Sequence, residues 1–373
     1  MAQYFDFEQP ILELEQKISE LQEFSREKNI DLSPEISKLM RRLIRLRKEI
    51  YGNLEPWQKV QIARHQERPN FYDYAPLLFE DFLELKGDRL FADDKAIVGG
   101  LAIFQGIPVT VVSHVKGRGT KDNIQRNFGM PHPEGYRKAL RLMDQAEKFG
   151  RPILTFIDTP GAACDLEAEE RGQGEAIARC LRAMAGYTVP IICTVIGEGG
   201  SGGALALGVG NKIFLLENSF YSVIAPESCA AILWKDQSKA KEAAGALRFT
   251  AQDLLELGVI DGIIKEPLGG AHRGVERTAG EIKKVLTHAL WELQEYSPEE
   301  LRAMRYEKLR RYGEFEEGAR NSQVALDEQE TGQILETKIQ KNQDIQVTRD
   351  IQGTDILAQD LQEDQAGKDP QMD

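Results

Sequence analysis

At 373 residues, with 41% apolar and 29% charged side chains, the chain has room for one large domain or two modest ones and the balance of a soluble globular protein. No window approaches the run of about 18 apolar residues a membrane helix needs, and MAQYFDFEQP resembles neither a secretory signal nor a transit peptide, so a cytoplasmic protein is expected. The net charge of −13 is lodged at one end: residues 313–373 carry 15 acidic and 5 basic side chains, which leaves −3 for the first 312, too even for a nucleic-acid surface.

In chain order, Ile11, Leu14, Ile18 and Leu21 fall on one stripe of a helix over residues 10–24. Ser33-Pro34 then suits an N-cap and first turn, and Ile36, Leu39, Leu43, Leu46 and Ile50 form a second stripe ending before Gly52. The pair reads as a helical hairpin that packs on its own domain or docks on another subunit. Ile97–Phe104 and Ile107–Ser113 flank Gln105-Gly106 as a strand hairpin. Apolar runs follow at Pro152–Ile157, Val189–Ile196 and Lys212–Leu216. Helical patterns fall at Glu134–Phe149, Glu170–Ala185, Ala251–Leu257 and Thr278–Leu293. Continuous apolar strands alternating with helices predict an α/β fold with both faces of a largely parallel sheet covered. Beyond residue 312 isolated Ile and Leu lie among Gln, Asp and Glu, and no aromatic follows Phe315. That stretch reads as a disordered acidic tail with at most a weak helix at 331–339.

The cysteines, Cys164, Cys180, Cys193 and Cys229, lack the spacing of a zinc knuckle or a redox pair and read as free thiols, so no metal is expected on this chain. Three stretches could carry chemistry. In Val195 to Ala206 an apolar strand runs into five glycines within seven residues, Gly197 to Gly203, and then into a small-residue helix. Such a junction bares backbone N–H groups at a helix start, where negative charge is favoured and a developing oxyanion is a natural guest. Phe156 to Ala163, with Asp158 and Gly161, ends the preceding strand, and ligands gather outside the carboxyl ends of strands in such sheets. Asp158 suits a loop anchor better than a base. Lys116-Gly117-Arg118-Gly119-Thr120-Lys121 is a basic loop that either binds ligand phosphates or a carboxylate or is simply solvated.

These stretches closely resemble the acetyl-CoA carboxylase carboxyltransferase alpha-subunit family. The strings that carry the likeness are Gly87-Asp88-Arg89, Ala92 to Gly100, Arg126 to Pro131, Pro133 to Ala139, Asp158 to Ala162, the glycine loop and Pro267 to Arg273. They span about Phe5 to Leu293 in the family's order. The resemblance implies a crotonase-like (ClpP-like) superhelix of ββα units. It divides the chain into a helical hairpin at 1–55, a carboxyltransferase domain at 56–295, a helical extension at 296–312 and the tail at 313–373. It implies an α2β2 assembly with a beta subunit, together with a biotin carboxyl carrier protein and a biotin carboxylase. The reaction implied is carboxyl transfer from carboxybiotin to acetyl-CoA, giving malonyl-CoA for fatty-acid synthesis, with the family's zinc on the beta chain. By residue match Gly202 and Gly203 offer an N–H pair to the biotin oxyanion. Gly199, Gly200, Gly161 and Ala162 would shape the cofactor's approach, with Lys116 and Arg118 beside it. Many relatives carry an aromatic residue where this chain has Ala163. Two rivals remain: a serine hydrolase using Ser201 with Asp261 and His272, and a non-catalytic scaffold on the same fold.

Overall fold

The computed structural model describes residues 4–313, so the expectations for the tail lie outside the described residues. The chain opens with the hairpin of α1 (Gln9–Lys28) and α2 (Ser33–Gly52). Ile11, Leu14 and Ile18 of α1 are buried, whereas α2 buries none of its side chains within this chain. Two short helices, α3 (Pro56–Ala63) and α4 (Phe71–Leu78), lead into the sheet and escaped the sequence reading because each spans about two turns and α4 contains Pro76.

The remaining elements are β1 (Glu80–Glu84), β2 (Ile97–Phe104), β3 (Ile107–His114), α5 (Gly119–Gln125), α6 (Pro133–Lys148), β4 (Ile153–Thr159), α7 (Leu166–Glu170) and α8 (Gln173–Gly186). After them come β5 (Ile191–Gly200), α9 (Ser201–Leu205), β6 (Lys212–Leu216), β7 (Phe220–Ser222), α10 (Pro226–Trp234), α11 (Ala240–Ala246), α12 (Ala251–Glu256), β8 (Gly262–Ile264), α13 (Val275–Gln294) and α14 (Pro298–Arg310). One sheet runs β1-β2-β3-β4-β5-β6-β8, antiparallel through β3 and parallel from there on, with β7 paired to the far end of β5. The predicted α/β class holds, and β2, β3 and α6 make up one ββα unit.

Alternation along β4 shows why its apolar run is continuous. Ile153 and Ile157 face a core with Leu142 and Met143 of α6 and Cys180 and Met184 of α8. Leu154 and Phe156 face the opposite core with Phe71 and Tyr74 of α4 and Ile282, Leu286 and Leu290 of α13. Helices therefore cover both faces, and each such side chain contributes about 1.5–3 kcal/mol of burial. The predicted helix over 170–185 is broken at Gly172, whose φ of 80° ends one segment and starts the next. Helix α14 is tied down by Arg305, fully buried, which donates to the carbonyl of Tyr187 at the end of α8 and to Asn211.

Candidate active site

Strands β4 and β5 lie side by side and end together, with Thr159 opposite Gly199. The sequence pattern placed Gly199 and Gly200 in a loop. They are strand instead, because Glu198, Gly199 and Gly200 pair with Phe220, Tyr221 and Ser222 of β7. Ser201, at φ 51°, turns the strand into α9. The two glycine-bearing segments dock backbone to backbone. A methyl group on Gly200 would lie 2.1 Å from the Pro160 carbonyl oxygen, and one on Gly203 would lie 2.5 Å from the Ala162 nitrogen. Gly199 is walled by the Tyr221 ring at 2.9 Å. Gly202 differs: a methyl there meets only Ile177, at 3.9 Å, and a methyl on Gly161 would meet nothing within 4 Å. Gly161, at φ 156°, is held by Thr159, whose hydroxyl donates to the Gly161 carbonyl and accepts from its N–H.

Ala163 is 3% exposed; its N–H donates to the Pro131 carbonyl, and Gln173 Nε2 donates to the Ala163 and Pro131 carbonyls. Its side chain is part of the packed wall, and these backbone bonds anchor the loop. Behind Gly203 sit Tyr136 and His114, both fully buried, with the Tyr136 oxygen 2.9 Å from where a Gly203 methyl would be. Burial drives the His114 imidazole down to about 3, against a weaker opposing pull from the Gly203 backbone. The ring is therefore neutral at physiological pH.

On the other side of the strand ends a cleft of about 610 Å³ opens, lined by Arg64, Arg68, Lys116, Arg118, Pro160 and Glu198 among others. A groove of about 730 Å³ on the hairpin is roomier but is lined only by α1 and α2 residues, none from the strand ends. Lys116 and Arg118 both reach the cleft, yet neither is an unpaired cation. Lys116 Nζ lies 2.8 Å from Asp158 Oδ1 and 2.6 Å from Glu198 Oε1, and Arg118 pairs with Asp73. Asp158 also accepts from the Glu198 N–H at 2.9 Å, which makes it an anchor. Arg64 bridges Glu198 and Glu227. Burial raises the Glu198 carboxyl, but Lys116 and Arg64 outweigh it and hold its pKa below the usual range. Deeper in, Glu266 accepts from Arg68, Asn218 and the Ala271 N–H, all of them buried. Sequence reasoning missed Arg64, Arg68, Glu198 and Glu266 as a group, since Arg64 and Glu198 lie 134 residues apart and Arg68 and Glu266 198 apart, and no local spacing signals them.

The hydrolase constellation does not assemble. Ser201 stands at the carboxyl end of β5. Asp261 accepts from Ile213 N–H and Lys308 at the start of β6, which pairs with the beginning of β5, roughly 26 Å of strand away. His272 stacks on His65 at 3.9 Å and makes no bond to Asp261. Among the described residues no group of His, Cys, Asp or Glu could hold a metal ion, and no helix is long and apolar enough to cross a membrane.

Residues 4–313 match the family model described as acetyl co-enzyme A carboxylase carboxyltransferase-like. The acetyl-coenzyme A carboxylase carboxyl transferase subunit alpha of Desulfitobacterium hafniense is 87% identical over 319 residues, 86% of this chain and 100% of that protein. The chain belongs to the acetyl-CoA carboxylase carboxyltransferase alpha-subunit family. The alpha subunit of Anoxybacillus flavithermus is 60% identical over 324 residues, 87% of this chain and 100% of that one. Among solved structures, transcarboxylase 12S, with methylmalonyl-coenzyme A and methylmalonic acid bound, aligns with a TM-score of 0.50 at 16% identity. That alignment covers 63% of this chain and 44% of the other, a likeness of fold. Membership in the alpha-subunit family makes this chain one subunit of a multi-subunit, biotin-dependent carboxyltransferase that acts in acetyl-CoA carboxylation.

Proposed function

We propose that this chain carries the biotin half of the transfer, in an α2β2 assembly whose beta subunit holds the CoA half. The carboxyl group comes from carboxybiotin on a separate carrier protein, loaded by a biotin carboxylase, and passes to acetyl-CoA to give malonyl-CoA in the cytoplasm. Carboxybiotin supplies an activated carboxyl group. The chain's own part is electrostatic: the N–H groups of Gly202 and Gly203, at the start of α9, would stabilise negative charge developing on the ureido oxygen. Gly161, Ala162, Gly199 and Gly200 would shape the approach. The residues present leave room for a flat ring, because a methyl on Gly161 would meet nothing within 4 Å and one on Gly202 only Ile177 at 3.9 Å. One contrast carries the reading: Gly200 and Gly203 are locked against Pro160 to Ala162 while Gly202 stands clear. We assign residues 56–295 to this work. The hairpin at 1–55 is left as a docking element, supported by the absence of any buried side chain on α2.

The test is malonyl-CoA formation from acetyl-CoA and carboxybiotin with and without the beta subunit. Activity should need both chains and should be lost with Gly202→Val at unchanged assembly. Full activity in that variant would remove Gly202 from the site.

A further inference from the structure

Asp158 and Glu198 occupy matching places. Asp158 immediately precedes Thr159-Pro160-Gly161 on β4, and Glu198 immediately precedes Gly199-Gly200 on β5. Both side chains are only 7% exposed, and both converge on Lys116 Nζ, at 2.8 and 2.6 Å. Two buried carboxylates this close repel one another unless a cation stands between them. The contact is built on several sides. A methyl on Gly197 would lie 2.3 Å from Asp158 Oδ1, so that residue's lack of a side chain admits the carboxylate. A methyl on Gly129 would lie 2.7 Å from Lys116 Cγ, so the Gly129 backbone packs closely against the lysine stem. Arg64 Nε holds the other oxygen of Glu198 at 2.8 Å.

We infer that Lys116 is a positioning residue for carboxyl transfer, a strut that ties the two carboxylates leading into the glycine-bearing segments and so sets the spacing between Gly161 and Gly202. It acts through Asp158 and Glu198 and touches no reactant. This inference rests on the carboxyltransferase reading above. It departs from the sequence-based expectation that Lys116 binds a ligand anion, and the two roles separate cleanly. A lysine that binds an anion cannot be replaced by removing a neighbouring charge. A lysine that only quenches repulsion can.

The experiment uses the full chain assembled with its beta subunit and compares Lys116→Met, Asp158→Asn and the double variant. Malonyl-CoA formation, thermal unfolding and amide hydrogen exchange over residues 159–163 and 199–203 are followed in each. Lys116→Met should lower kcat by about 10- to 100-fold, the scale of an ångström-sized misplacement, with KM for the carboxybiotin donor changed less than about twofold. Both segments should exchange faster together. Adding Asp158→Asn should recover at least about a tenfold gain in kcat and slow the exchange again, since Glu198 keeps Arg64 and no carboxylate is then left without a counter-charge. Lys116→Arg keeps the cation and should retain most activity, which covers the case in which Lys116→Met does not fold. A double variant as inactive as Lys116→Met, with wild-type melting, would overturn the strut, as would a rise in KM alone or loosening of one segment only. If the unaltered assembly forms no malonyl-CoA, the carboxyltransferase reading fails. The strut is then still judged by whether exchange in both segments rises in Lys116→Met and falls back in the double variant.

Discussion

Adding a methyl group at Gly202 and at Gly203 should have opposite consequences for stability, although the two residues are neighbours. At Gly203 the new carbon would meet the Ala162 nitrogen at 2.5 Å and the Gly161 carbonyl carbon at 2.6 Å. Ordinary carbon contacts need about 3.5 Å or more, so the backbone of one segment must move by roughly 1 Å. Overpacking of that kind costs about 1–3 kcal/mol, and a displacement of that size near reacting atoms costs about 10²-fold in rate. At Gly202 the methyl would sit 3.9 Å from Ile177, and its backbone is not in the left-handed region. Gly202→Ala should therefore melt with the unaltered chain or up to about 1 kcal/mol above it, since alanine restricts the unfolded state more than glycine does. Its methyl would nevertheless occupy the space proposed for the ureido ring, so malonyl-CoA formation should fall. Differential scanning calorimetry and steady-state assay of the assembled enzyme separate the two. If Gly202→Ala keeps full activity, or if Gly203→Ala melts like the unaltered chain, the reasoning from backbone approach fails.

Further perturbations follow from charged groups at three positions. Glu266→Ala strands the Arg68 guanidinium without its partner and should cost about 3–5 kcal/mol in urea titrations. Burial pushes the Glu266 carboxyl up, but Arg68 and the Asn218 bonds win and depress its pKa. Its contribution is thus present above the unfolded value of about 4.3 and lost as pH falls through the folded one, and Glu266→Gln should flatten that acid limb. His132 has the opposite sign. The bond to Asp94 raises its pKa, with Asp165 adding to it against burial, so its contribution is full below about 6.5 and lost as pH rises through the folded value. His132→Asn should remove that slope from melting temperatures taken between about pH 6 and 8. Arg305→Met leaves the Tyr187 carbonyl without its donor and should release α14, read as faster hydrogen exchange over Pro298–Arg310.

The sequence made the long elements legible because their periods were clean. The stripe Ile11, Leu14, Ile18 is the buried face of α1, and Gln105-Gly106, at φ 51° and 78°, closes the β2–β3 hairpin as its dipeptide foretells. Edge and short elements stayed hidden. Strand β1, Glu-Asp-Phe-Leu-Glu, does not read as alternating and carries a register shift, and β7 and β8 span three residues each. The glycine loop was located but misdivided, because a strand continuing through Gly199 and Gly200 depends on pairing with β7, a partner no local pattern announces.

The charges tell the same story in sharper form. A basic loop in an acidic chain invites an anionic ligand, and Lys116 and Arg118 carry that invitation in the sequence. What decides their role is which carboxylates the fold delivers to them. Asp158 is 42 residues away and Glu198 is 82, and both arrive because β3, β4 and β5 are parallel neighbours in register. Once they arrive, burial makes pairing compulsory: a carboxylate 7% exposed either finds a cation or takes up a proton. Lys116 is thereby paired with both carboxylates, and on the strut inferred above the cation of the basic loop serves the scaffold. Glycine at 202 is the reverse case. It is set among close backbone approaches on either side, and the role proposed for it lies in the contact it does not make.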